Sequence, residues 1–159
     1  MTSTYHAEVE QRLEALSITL PEAMAPAANY VPFKVAGNVL YISGQLPTAP
    51  DGNLIKGTCG NNIETEAAAH AAERSAVNIL AQVKAAIGDF DKVEGLSKIT
   101  GFVASTADFE AHPVVVNGAS NLFVEALGDR GRHARSAVGM AALPFNVVVE
   151  VEAIFQLKS

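Results

Sequence analysis

The sequence predicts an α+β domain: a mixed sheet with two main helices packed on one face and a further helix at the N-terminus. Three observations predict it. Residues 64–87 and 109–127 repeat apolar side chains at helical spacing. Runs rich in β-branched and aromatic residues lie before, between and after them. The resulting order is helix, hairpin, helix, strand, helix, strand, strand, which suits helices on one side of a mixed sheet.

Taken in order, residues 7–16 place Val9, Leu13 and Leu16 at helical spacing, with Glu8, Glu10, Arg12 and Glu14 on other faces. Residues 20–32 are rich in Pro and Ala and read as an extended surface segment. Residues 33–36 and 39–43 flank Gly37-Asn38, a preferred two-residue turn, and form a hairpin that Gly44 closes. Residues 47–62 are a loop containing Cys59. The long helix at 64–87 is expected to take Asn61 as its cap, with Glu64 completing a capping box. Its core stripe is Ala68, Ala72, Ala76, Ile79, Leu80 and Val83, and Gly88 ends it. Residues 93–105 carry a buried strand at 99–103. The helix at 109–127 turns Val115, Ala119, Leu122, Phe123 and Ala126 to one side. Strands at 136–141 and 147–155 follow, joined through 143–146. No repeat, low-complexity tract or linker interrupts the chain. One domain over 1–159 is expected, with 1–20 as a helical extension.

The chain has 159 residues, 49% hydrophobic and only 18% charged. So few charges at this size point to surface buried against a second copy, and a homo-oligomer is expected. Net charge is −6, and the one basic cluster is Arg130, Arg132 and Arg135. A nucleic-acid partner is therefore not expected. A single cysteine excludes an intrachain disulfide. The first residues lack the apolar core of a secretory signal, and no run approaches the ~18 apolar residues of a membrane span. A soluble, cytoplasmic protein without a membrane partner is expected.

Two residues stand out chemically. Arg135 sits just before the uncharged run 137–141, at the edge of an expected buried strand. Its guanidinium fork matches a carboxylate bidentately; a plain surface arginine is the alternative. Glu150 interrupts the apolar run 147–151. Alternation groups it with Val148 and Glu152. In a closed cleft its pKa would rise and it would serve as an acid/base; on a solvated face it would not. Other chemistry is poorly supported. Ser43 lacks a Gly-x-Ser-x-Gly elbow. Histidines 6, 70, 112 and 133 lack metal-ligand spacing. The 57–60 loop lacks the Gly-Lys-Ser/Thr of a phosphate loop. Cys59 reads as a structural loop thiol.

Asn29-Tyr30, the segment 40–47 (Leu-Tyr-Ile-Ser-Gly-Gln-Leu-Pro), 116–119 (Val-Asn-Gly-Ala), Ala134-Arg135-Ser136, Leu143-Pro144 and 149–154 (Val-Glu-Val-Glu-Ala-Ile) come in a familiar order. Together they resemble the RidA family of enamine/imine deaminases, also called YjgF-like or endoribonuclease L-PSP, in a divergent branch. The resemblance spans about residues 21–156. It implies a chorismate-mutase-like fold with a six-stranded mixed sheet, and a homotrimer with ligand clefts at subunit interfaces. It implies that Arg135 clamps a substrate carboxylate and Glu150 positions or activates water. Tyr30, Ser43, Gly44 and Asn117 match residues lining the cleft. No metal or organic cofactor is implied. Two positions depart from the pattern. Ala137 replaces a frequent cysteine, and Gly139 replaces a frequent acidic residue, which is expected to enlarge the cleft. The expected activity is hydrolysis of 2-aminoacrylate-like intermediates to 2-oxo acids and ammonia. The alternatives are a non-catalytic binding module for small carboxylates and, less favoured, an endoribonuclease.

Overall fold

A computed structural model describes residues 3–26 and 28–159; Met1, Thr2 and Ala27, the last within the Pro/Ala segment, lie outside the described residues. The elements are α1 (Tyr5–Ala15), β1 (Phe33–Ala36), β2 (Val39–Gln45), α2 (Thr65–Ile87), β3 (Val93–Ala104), α3 (His112–Leu127), β4 (Ala134–Met140) and β5 (Val149–Leu157). The strands form one sheet in the order β1-β2-β5-β3-β4, antiparallel throughout except that β4 runs parallel to β3. The α+β class and the mixed sheet are as expected.

The strand count is five rather than six. The segment after β2 makes only isolated bridges, Thr48 to Leu54 and Lys56 to Val147 among them. Gly52, Gly57 and Gly60 take φ of 87°, 148° and 86° there. Such backbone cannot continue a pleated strand.

The hairpin forms as expected, with Phe33 opposite Ile42 and Ala36 opposite Val39. Gly37 takes φ 60° at the turn, a conformation that favours glycine. Helix α1 starts on Thr4, whose hydroxyl accepts from the Ala7 N–H at 3.2 Å. It buries Val9 and Leu13, while Leu16 lies beyond the helix and is exposed. The Tyr5 hydroxyl donates to the Leu127 carbonyl at 2.8 Å, tying α1 to the end of α3. Burial of Tyr5 pushes its phenol up to about 12.

The expected capping box on α2 does not form. The helix begins at Thr65, so Glu64 itself holds the N-cap position, in extended conformation and without a side-chain cap bond. Asn61 lies in a turn instead, its N–H donating to the Thr58 carbonyl at 3.1 Å. All six residues of the expected α2 stripe are buried, and Gly88 ends the helix at φ 84°. Helix α3 starts at His112 rather than 109, because Phe109 closes a turn onto Thr106 at 3.2 Å.

Helices α2 and α3 cover one sheet face, and small residues set how closely they lie. A Cβ on Gly118 would overlap the Ala69 carbonyl of α2. A Cβ on Gly101 of β3 would strike Val116 of α3. The odd-numbered residues of β5 (Val149, Val151, Ala153, Phe155 and Leu157) point into this core. The even-numbered residues Glu150, Glu152, Ile154 and Gln156 face the opposite side, which no helix covers.

Strand β4 corrects an expectation. The uncharged run after Arg135 reads as a buried strand, yet β4 is a sheet edge paired only with β3, and Val138, Gly139 and Met140 are exposed. Among the described residues its Val138 and Met140 side chains stay exposed. Val148 also departs from the alternation argument: it precedes β5 and is buried, its N–H donating to Ile55 at 3.2 Å.

The Gly118–Ala69 approach generates a prediction. Alanine favours helix over glycine by about 1 kcal/mol, yet Gly118→Ala should destabilise the fold by about 1–3 kcal/mol through overpacking. A lower urea midpoint is expected; a higher one would show that α2 and α3 separate freely.

Candidate functional site

Two clusters of candidate side chains form, one on each side of the sheet. The first gathers around Glu150. Its carboxylate lies on the backbone of Gly44, where any side chain would collide with it. The β2–β5 register shifts between Ile42 and Gln45, which brings Gly44 beneath Glu150. Glu150 is half-buried, and its pKa is raised, first by loss of solvent and then by the neighbouring charge of Glu152. Gly44 also walls a pocket of about 300 Å³ with Tyr30, Met24, Leu54 and Phe145. Tyr30 is 52% exposed and its ring is free to meet a ligand or another chain. The Ser43 hydroxyl donates to the Val31 carbonyl at 2.7 Å, bracing the loop that presents Tyr30 and leaving its lone pairs to accept.

Phe145 was not visible as a site residue in the sequence. It takes φ 56° and ψ 18°, and its ring is 61% exposed at the pocket rim. Left-handed backbone at a bulky aromatic costs on the order of 1–2 kcal/mol. Such strain concentrates at functional sites. Leu143-Pro144 before it carries the only sequence hint of a tight turn.

The second cluster surrounds Arg135. In register, Arg135 stands opposite Ile99, a core residue, so its side chain lies on the α3 side of the sheet edge. Its Nη1 donates to Ser120 Oγ at 3.2 Å and its Nη2 to the Pro113 carbonyl at 3.2 Å. Those bonds use two of the five donors of a guanidinium. Asn117 is exposed and shares the α3 stripe with Pro113 and Ser120, at spacings of four and three residues.

Within one chain these clusters do not meet. Glu150 stands opposite Phe102 on the uncovered face, while Arg135 lies over the helix-covered face. Two strand spacings, roughly 10 Å, separate their strands. Tyr30, Ser43, Gly44 and Glu150 therefore group apart from Arg135 and Asn117 within the chain.

The rest of the basic cluster is occupied internally. Arg130 donates to the Val93 carbonyl at 3.0 Å and stacks on the Tyr5 ring at 4.0 Å. Arg132 pairs with Asp129 at 3.3 Å. No group of three metal-ligating side chains occurs among the described residues. No helix among them is long and apolar enough to cross a membrane. Cys59 is buried, its N–H donating to Ala104 at 2.9 Å, and burial pushes its thiol pKa up, as suits a structural residue.

Gly139 differs from expectation. The volume its missing side chain leaves is filled by the His112 ring, and a Cβ there would also lie 2.8 Å from Ser105 Oγ. Ser105 and His112 are hydrogen-bonded at 3.0 Å. Gly139 nevertheless stays exposed and lines a shallow pocket of about 330 Å³ with Ser105, His112 and Met140. Seven residues separate that pair in sequence, across a turn, and no motif announces it.

A family model described as "YjgF/chorismate mutase-like, putative endoribonuclease" matches residues 10–157. The chain belongs to this family. YjgF-like relatives include the Trypanosoma cruzi protein TCP17, 41% identical over 152 residues that cover 95% of each chain. The crystal structure of Agrobacterium tumefaciens Atu1372, a protein of unknown function, is 49% identical with TM-score 0.89, covering 97% of this chain and 96% of that one. RidA from a Psychrobacter species is 31% identical with TM-score 0.59, covering 85% and 94%. The lower TM-score, over less of this chain, places it at some structural distance from that RidA within the YjgF-like fold.

The raised Glu150 pKa has a thermodynamic sign. The folded chain holds this proton more tightly than the unfolded chain, so the contribution to stability is present at acid pH. It is lost as pH rises from the ordinary carboxylate value of 4.5 through the raised one. Glu150→Gln removes that loss. The Tm difference should move in favour of the variant between pH 4 and pH 8; a difference constant with pH would refute the assignment.

Proposed function

We propose that this protein hydrolyses small reactive enamine/imine intermediates of the 2-aminoacrylate type to 2-oxo acids and ammonia. The observation that carries the reading is Glu150: a half-buried carboxylate with a raised pKa, held over Gly44 beside the Tyr30 pocket. A base tuned towards neutrality suits proton transfer to and from water. Membership of a family that includes a protein called RidA supports the reaction class.

In this reading the active unit is a homotrimer. Arg135 and Asn117 of one chain face Tyr30, Ser43, Gly44 and Glu150 of the next. Two features support the assembly. The uncovered face carries Tyr41, Val138 and Met140, all exposed in one chain. Strand β4 leaves its outer edge unpaired. Both are surfaces that a neighbouring copy can bury.

The chemistry then follows. The enamine tautomerises to a 2-imino acid. Arg135 receives its carboxylate on the free N–H fork and fixes the C2 carbon. Glu150 takes a proton from water as the water oxygen bonds to C2 of the N-protonated imine and the C=N π pair moves onto nitrogen, giving a neutral carbinolamine. The same proton passes to the amine nitrogen, the C–N bond breaks, and ammonia leaves. The C2 hydroxyl passes its proton to the Glu150 carboxylate as the carbonyl forms, a 2-oxo acid remains, and Glu150 sheds that proton to the released ammonia as ammonium. The reaction needs no metal or organic cofactor, no nucleic acid and no membrane. The reaction also proceeds unaided in water, so the residues need supply only modest acceleration.

The reading is tested with 2-aminoacrylate generated by a serine/threonine dehydratase, following 2-oxo acid release. Wild-type protein should accelerate release, and Arg135→Ala and Glu150→Gln should each reduce kcat/KM by at least tenfold. No acceleration by wild type, with pyruvate binding intact in Glu150→Gln, would leave a carboxylate-binding module. Mixing the two variants provides a second check. Random assembly of subunits should restore about a quarter of wild-type sites if each cleft joins two chains; no recovery would place both residues within one chain.

A further inference from the structure

We propose that Ser120 and His133 are positioning residues: a serine–histidine relay that holds the Arg135 guanidinium in place for a substrate carboxylate. The inference rests on the reading of Arg135 as the carboxylate clamp, and it adds two residues that the family resemblance does not mark.

The hydrogen-bond polarity of the cluster is fixed by its ends. His133 Nδ1 lies 2.6 Å from the Gly131 carbonyl oxygen. A carbonyl oxygen can only accept, so Nδ1 carries the proton. In the neutral ring Nε2 is then an acceptor. It lies 2.9 Å from Ser120 Oγ, so the serine hydroxyl donates to it. That leaves the Ser120 lone pairs to accept from Arg135 Nη1 at 3.2 Å. The chain of bonds runs from the guanidinium through the serine to the imidazole and ends on the backbone. Each member has one orientation that satisfies its neighbours.

The surroundings keep His133 neutral. Burial lowers its pKa more than the Gly131 carbonyl raises it, and the positive charge of Arg135 adds a smaller lowering. The ring stands edge-to-face with Phe123 of α3 at 6.0 Å. In the preceding turn, Asp129 and Arg132 pair with each other. Ser120 on α3 bonds to the ring, and Arg135 on β4 acts on its charge. A protonated His133 would reverse the Ser120 bond and set a second cation beside the guanidinium; the neutral ring avoids both.

The arrangement resembles the outer partners that orient metal-binding histidines, applied here to an arginine. An arginine side chain has many rotamers, and fixing them before the ligand arrives strengthens binding. The Pro113 carbonyl anchors Nη2 at 3.2 Å, so the two bonds hold both terminal nitrogens.

The test measures pyruvate affinity by calorimetry and KM and kcat in the coupled dehydratase assay, using full-length protein with melting curves as a folding control. Ser120→Ala and His133→Phe should each weaken pyruvate binding and raise KM roughly five- to tenfold, with kcat near wild type. His133→Gln places an amide acceptor near the Nε2 position and should recover most of the affinity. Wild-type affinity in Ser120→Ala and His133→Phe, with Arg135→Ala unable to bind, would overturn the relay and leave the clamp. Failure of His133→Gln to recover affinity would assign the His133 effect to packing on Phe123 and overturn the relay. Wild-type binding by Arg135→Ala would overturn the clamp and the relay together.

Discussion

Alternation along β5 is the constraint on which the rest of the structure depends. This strand is paired on both sides, to β2 and to β3. Val149, Val151, Ala153, Phe155 and Leu157 enter the core, and the residues between them face away. A slip of one residue would expose all five and bury Glu150 and Glu152 beneath the helices. The register is therefore held by the whole core rather than by any bond at Glu150. That rigidity places the acid over Gly44, and it also keeps Glu150 from the side of the sheet where Arg135 lies.

The separation has an electrostatic result. A guanidinium next to Glu150 would favour its charged form and lower its pKa. In this chain burial and Glu152 act alone, so the acid stays easier to protonate. Arg135 is likewise not quenched by an internal carboxylate; its partners are a hydroxyl and a carbonyl. Arg130 and Arg132, by contrast, are spent on Tyr5, Val93 and Asp129.

The hairpin was legible because Gly37-Asn38 sits between two β-rich runs, and α2 because its apolar stripe runs for about four turns. The Asn61 cap was misread because local spacing cannot tell whether a helix starts at residue 62 or 65. The sixth strand was inferred from resemblance, and three positive-φ glycines prevent it here. In the site, Glu150 was legible from a charge inside a valine run. The side of the sheet on which Arg135 lies was not, because it depends on pairing with β3, thirty-six residues away. The Ser120–His133 and Ser105–His112 pairs were invisible because each joins two elements across a turn. Phe145 was missed because left-handed backbone at phenylalanine contradicts its own propensity.

The outer edge of β4 carries a consequence for the newly made chain. The strand reads Ala-Arg-Ser-Ala-Val-Gly-Met, with no proline, lysine or bulge to blunt it. Its backbone N–H and C=O groups form an open template, and Val138 and Met140 add greasy purchase. A fresh polypeptide thus leaves the ribosome with an adhesive rim that any extended strand can capture. Misassembly through that rim rises with local copy number, which makes abundance as consequential for this protein as its own thermodynamic stability.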